Sequence, residues 1–262
     1  MAHLARVVWT YLRLSALNEL QYRANLLLQL FNSVLGLAIG LAGLGLIFYH
    51  TETLAGWGPL ELLVVVGVHT LIGGFVRSIV QPNMWQIAEG VQDGSLDYTL
   101  TKPEDSQLLV SVTRFEMWRL VDVFVGLGVL IFAVTRLGKG IGLGEAAAFG
   151  VVLVCGGLIF YSFWLAIATT SFWVVRTWAM YEMFDRLYQA GRWPVGIYPP
   201  WLRLGLTFLV PVAFAVTVPA EALTARLAPL SLVLAPVMAG LALIAARWFW
   251  HVGLRHYSGA SA

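Results

Sequence analysis

Between Arg23 and Glu52 the chain runs for 28 residues without an Asp, Glu, Lys or Arg, and between Glu145 and Arg176 it does so for another 30. A helix rises about 1.5 Å per residue, so about 20 apolar residues cross the ~30 Å hydrocarbon core of a bilayer. Runs of this length leave little choice of solvent. Of the 262 residues, 59% are hydrophobic and only 11% charged, whereas a soluble domain carries roughly a quarter charged residues. No soluble core of this size hides so much apolar surface. The chain is read as an all-α integral membrane protein.

The uncharged runs place a first span near 25–49, a second from about Leu60 to Val80, and a third from near Met117 to just before Arg136. A fourth falls at about 146–174 and a last near 229–250. The stretch 176–225 admits two readings. Hydropathy favours LGLTFLVPVAFAVTVPA (204–220), but Pro211 and Pro219 interrupt helical hydrogen bonding there and suit a broken or re-entrant element. The other candidate, TWAMYEMFDRLYQAGRW (177–193), carries Glu182, Asp185, Arg186 and Arg192. Either choice gives six spans, with both termini on one side.

Lys and Arg set the side. Arg6, Arg13, Arg23, Arg77, Lys102, Arg114, Arg119, Arg176, Arg247 and Arg255 fall on one face, and only Arg136, Lys139 and Arg226 on the other. The positive-inside rule then places both termini in the cytoplasm. The N-terminus lacks the pattern of a cleaved signal, so insertion is expected to rely on the mature helices. A net charge of +2 without a basic stripe disfavours nucleic-acid binding. Cys155, the single cysteine, cannot form an intrachain disulfide and reads as a buried small hydrophobe.

Before the first span, Leu4, Val7, Val8, Tyr11 and Leu14 recur at helical spacing, which suits an amphipathic helix over 1–23 lying in the interface. Gly36 and Gly40 form a GxxxG that lets helices approach, either within the chain or between subunits. Charges inside spans are costly. Arg77 is expected to snorkel to the edge, Asp122 to pair with Arg119 one turn away, and His69 to be a hydrogen-bonded packing residue. No GxSxG, HExxH or Cys/His cluster appears. There is no GxxxxGK[ST] either, so no cofactor is expected on this chain.

The loop between spans two and three is longer than a connection requires. It reads QPNMWQIAEGVQDGSLDYTLTKPEDSQLLVSVTRFEMWR and holds Glu89, Asp93, Asp97, Glu104, Asp105 and Glu116. A short helix is expected to stop at Asp93-Gly94, and another to start after Pro103 with Glu104 and Asp105 in its first turn. A charged surface presented to a cytoplasmic partner explains such a loop.

Glu89-Gly, then Gly94-Ser-Leu-Asp-Tyr-Thr-Leu-Thr-Lys-Pro103, resembles the corresponding loop of ABC-2 type permeases, the membrane subunits of ATP-binding-cassette exporters. RWPVGIYPPWLRLGLTFLVPVAFAVTVPAEAL (192–223) and FWHVGLRHYSGAS (249–261) resemble an uncharacterised subfamily of about 260 residues, so the likeness covers essentially the whole chain. It implies that 84–106 is a coupling loop docking on a separate ATPase that binds the ATP, through Glu89, Asp93, Gly94, Asp97, Lys102, Pro103, Glu104 and Asp105. It also implies two ATPase copies, a second permease (itself or a paralogue), and a multi-pass place in the bacterial cytoplasmic (inner) membrane. Mapped onto the family's order, 177–193 becomes the fifth span and 194–223 a Pro-rich re-entrant segment. Glu182, Asp185 and Arg186 would then line the pathway, with Glu182 and Arg186 paired. The function expected is export of a hydrophobic or amphipathic substrate. Two rivals are a stand-alone secondary transporter, which would show matched broken helices, and an intramembrane lipid-modifying enzyme, which would need a clustered catalytic site.

Overall fold

The computed structural model describes residues 9–17, 23–138, 140, 142–174 and 177–257, and every regular element among them is helical. Five helical stretches are long and apolar enough to cross a bilayer: Ala24–His50, Pro59–Asp93, Met117–Leu137, Leu143–Phe172 and Pro229–His256. Each overlaps a span placed from the sequence. The amphipathic helix expected over 1–23 is described only as α1 (9–17), with Trp9, Leu14 and Leu17 exposed; its remainder lies outside the described residues.

The centre of the bundle is α3 (Pro59–Phe75) lying along α7 (Leu120–Leu137). Val64, Val65 and Val68 of α3 are fully buried, as expected for a helix that is apolar all round. The two backbones approach through small residues. A Cβ at Gly126 would sit 2.5 Å from the Leu71 backbone nitrogen, and one at Gly74 would sit 2.6 Å from that of Val123. A second pair, α8 (Leu143–Thr169) with α12 (Pro229–His256), packs beside it. By contrast α2 (Arg23–His50) stands at the flank, with Leu27, Phe31, Ile39 and Leu46 all more than 60% exposed.

The second crossing does not end near Val80. It passes through a π-helical turn at Val76–Val80 into α4 (Gln81–Asp93), making one helical stretch of 35 residues. Pro82 accounts for the turn, because it has no N–H to return to the Ser78 carbonyl one turn earlier. That freed carbonyl accepts instead from the Glu116 backbone N–H at 2.8 Å. A local defect in the helix thus becomes a tie to the segment that leads into α7.

The start of α2, the end of α12 and the 94–119 connection share one end of the bundle, the elbow end. Trp250 Nε1 donates to Ser106 Oγ there (3.2 Å), and Lys102 Nζ donates to the Tyr11 hydroxyl of α1 (3.3 Å). The opposite, turn end carries 51–58 and 224–228, locked by Arg226, which donates to the Gly56 carbonyl (2.7 Å) and pairs with Glu61 (2.6 Å).

The stretch expected as the fifth span, 177–193, forms α9 (Trp178–Ala190), a helix of 13 residues and so about 20 Å. That is too short to cross alone. After it, Pro200–Phe208 and Ala213–Leu223 make a pair bent by 77°, containing α10 (Pro200–Leu204) and α11 (Val218–Leu223). Val195 N–H reaches Thr217 Oγ1 (3.4 Å), and Arg203 reaches back to the Gly196 carbonyl (2.6 Å). The prolines explain the shape. Pro211 sits at the bend, beside extended Val210, and Pro219 opens α11, where a missing N–H costs least.

Candidate functional site

The elbow is built by turn chemistry. α4 stops at Asp93 because Gly94 takes the left-handed conformation (φ 77°), which a residue without Cβ adopts freely. Asp93 accepts from the Ser95 backbone N–H (2.9 Å), and hydrogen bonding from the Ser95 side chain, then from this N–H, holds its carboxyl below the usual carboxylate range. The short α5 (Leu96–Leu100) then folds back on α4, with Leu96 against Gly90. After Pro103, Asp105 caps α6 (Ser106–Val110) by accepting from the Leu108 N–H (3.1 Å). The stop at Asp93-Gly94 stands where expected, whereas α6 starts later than expected, so Glu104 and Asp105 precede its first turn and Asp105 serves as its cap.

Three ties fix this elbow to the bundle. Asp105 also accepts from Arg247 of α12 (2.7 Å), and that guanidinium keeps the Asp105 carboxyl below its ordinary range. Ser111 Oγ lies 2.7 Å from the Tyr161 hydroxyl of α8. Asn83 of α4 is fully buried; its amide donates to the Ile79 and Arg114 carbonyls, and its oxygen accepts from the Thr113 and Arg114 backbone N–H groups. No sequence pattern singled out Asn83, Arg247 or Tyr161. An Asn inside an otherwise apolar amphipathic stretch is the only hint they offered.

The expected docking residues therefore divide. Glu89, Asp93, Lys102 and Pro103 are exposed; Asp97, Glu104 and Asp105 are half-buried, and Gly94 is buried. Asp105 is occupied within the chain. Tyr98, at the tip and 78% exposed, is an added member of this surface that composition alone did not mark.

A second polar site lies inside the bundle. A cavity of about 220 Å³ opens between α2, α3, α7 and α9, lined by residues that include Gln29, Ser33, His69, Arg77, Asp122 and Arg192. Here two expectations are corrected. Asp122 does not pair with Arg119; it takes Arg77 (3.0 Å) and accepts from Ser33 and Gln29, while Arg119 pairs with Glu116. Arg77 accordingly points to Asp122 across α3 and α7, with its side chain only 22% exposed, instead of snorkelling out. Desolvation favours this choice, since two charges held at a bilayer edge lose less by pairing with each other than by standing alone. His69 is a packing histidine as expected: it bonds the Tyr188 carbonyl (3.2 Å) and stacks on the Tyr188 ring at 4.4 Å.

Gly36 and Gly40 lie on the inward face of α2 and border this cavity, with Gly40 buried. A Cβ at Gly36 would find nothing within 4 Å, and one at Gly40 only the Arg192 guanidinium at 3.9 Å. On α9, Tyr181 and Tyr188 are buried, while Glu182 and Arg186 project outward 3.8 Å apart and Asp185 accepts from Gln81 (3.2 Å). Among the described residues no group of three or more His, Cys, Asp or Glu is placed to hold a metal.

A family model described as ABC-2 family transporter protein matches residues 34–261, which takes in every crossing but the start of the first. No curated protein and no solved structure matches the chain. The chain belongs to the ABC-2 transporter family and is a membrane permease component of an ABC transporter.

Proposed function

We propose that this permease exports a hydrophobic or amphipathic substrate and is driven by a separate ATPase that docks on the elbow, residues 84–106. In this reading two ATPase copies bind the ATP and two permeases, identical or paralogous, form the pathway. The protein resides in the bacterial inner membrane, with the elbow and both termini in the cytoplasm. The 194–223 segment is a re-entrant hairpin entering from the outer side.

The observation that carries the reading is the way the elbow is tied. A loop that only joined two crossings would hang free. This one is held to α4 by Asn83, to α8 by Ser111 and to α12 by Asp105, and it leaves Glu89, Asp93 and Tyr98 outward. Closure of an ATPase dimer against that outward face would tilt the crossings together. The energy comes from contacts that differ between the open and closed ATPase, because a partner binding both states equally shifts neither. On α9, Glu182, Asp185 and Arg186 line the pathway side, since charges at membrane depth need water or a partner chain.

Reversing Glu89 and Asp93 to Lys tests the docking. The doubly reversed permease should reach the membrane in normal amount yet no longer co-purify with its co-expressed ATPase. Undiminished co-purification would remove the elbow from the interface.

A further inference from the structure

The cavity between α2, α3, α7 and α9 holds one more cation than its anions satisfy. Asp122 is saturated by Arg77, Ser33 and Gln29. Arg192 takes part in none of the ion pairs among the described residues, although it lines the same cavity. Its guanidinium lies by Gly40, ten residues before the His50 end of α2. The adjoining His69–Tyr188 contact lies ten residues into α3 from Pro59. Ten helical residues span about 15 Å, so Arg192 sits near half the ~30 Å depth of a bilayer core. Arg77 is eight residues beyond His69, on the π-helical turn that continues α3, about 12 Å nearer the elbow end.

We propose that this cavity binds the oxyanion headgroup of an amphiphile, a phosphodiester or carboxylate, with Arg192 as its anchoring cation. An arginine at that depth costs at least ~2.5–3.5 kcal/mol to insert if left alone, and it is kept where it meets an anion. The planar guanidinium offers paired N–H donors that match an oxyanion. The cavity, at about 220 Å³, far exceeds the roughly 10–15 Å³ that one water needs. Gln189 and Thr70 add neutral polar groups to the lining. The flanking face of α2, with Phe31, Leu35 and Ile39 exposed, gives an acyl chain a surface to lie on. The site belongs to this chain alone and needs no ATPase.

The test uses the purified full-length chain in detergent, with native mass spectrometry of retained lipid and no ATPase present. Phosphatidylglycerol and phosphatidylcholine of equal chain length are offered together, with inorganic phosphate as a competitor. The wild type should retain phosphatidylglycerol in preference, and R192Q should lose that preference by roughly ten-fold or more, the scale of a lost charge-assisted hydrogen bond. R192K, which keeps the charge but not the paired donors, should keep only part of it, and R255Q, at the exposed elbow end, all of it. Displacement by inorganic phosphate would show that the anion alone is recognised; resistance to it would show that the chains contribute. Equal retention of both lipids by the wild type, or an R192Q preference like that of the wild type, overturns the proposal. Because docking at the elbow plays no part in this measurement, failure here leaves the proposed ATPase coupling standing.

Discussion

The α3–α7 pair and the α2–α9 flank answer the same problem, a helix in lipid, in opposite ways. At the centre, glycines bring backbones into contact, and the part-buried Arg77–Asp122 pair joins the turn after α3 to α7, with Gln29 and Ser33 of α2 adding bonds to the carboxylate. At the flank, α2 shows exposed Leu, Phe and Ile, its two spaced glycines border a cavity instead of a packed helix, and α9 turns Glu182 and Arg186 outward. The centre is complete as one chain. The flank is not, and it is there that ligand, water or a second subunit must supply what is missing.

The sharpest way to break this contrast is to strip the central pair. Asp122→Leu leaves the part-buried Arg77 without its anion, a change worth at most about 3–5 kcal/mol. The expected result is loss of folded permease on detergent gels, with partial recovery when Arg77→Met is added. Survival of the single variant would move Arg77 to solvent. Next in size, Gly126→Leu must push the α3 backbone aside and should cost about 1–3 kcal/mol or more. Gly36→Leu on the flank should leave thermal unfolding of the solubilised single chain unchanged. Similar melting shifts in the two would erase the distinction between the regions.

A smaller effect is expected at Asp105, which joins a helix cap to an ion pair with Arg247. Asp105→Ala should cost on the order of 1 kcal/mol for the cap, with little added by a half-exposed pair, and protease access to the elbow should rise. The same tie carries a pH dependence. Its carboxyl is held below the ordinary value in the folded chain, so its contribution is present above the ordinary carboxylate pKa and fades as pH falls through the lowered one. Acid should therefore increase elbow proteolysis in the wild type and not in Asp105→Ala. Smallest of all, Glu182→Gln should shift stability of the solubilised chain by no more than about 0.5 kcal/mol, since its pair with Arg186 is exposed. Any consequence belongs to transport, measured in the assembled system.

The crossings were legible in the sequence because the signal is one of length: uncharged runs long enough to span a bilayer have no other stable place. The stop of α4 and the cap of α6 were legible too, since Gly94 acts through its own backbone and the Asp105 carboxylate on an N–H three residues on. What escaped lies in choices among distant partners. Asp122 had Arg119 within one turn, yet tertiary packing brought Arg77, 45 residues away, to it. Asn83 works only because residues 113–114 return beside it. The second crossing outran its expected end because Pro82 widened the helix where it was expected to stop. α9 came out shorter than its 17-residue window because neither composition nor period says how deep an amphipathic helix enters.

The most direct measurement on the coupling account uses a cysteine at Tyr98, the exposed tip of the elbow, in a Cys155→Ala background, crosslinked in membranes that contain the ATPase. The account predicts an adduct of permease and ATPase from this position. It predicts none from a cysteine at Leu143, which is 91% exposed at the turn end. Absence of the ATPase from the Tyr98 adduct, or equal capture from Leu143, would contradict it.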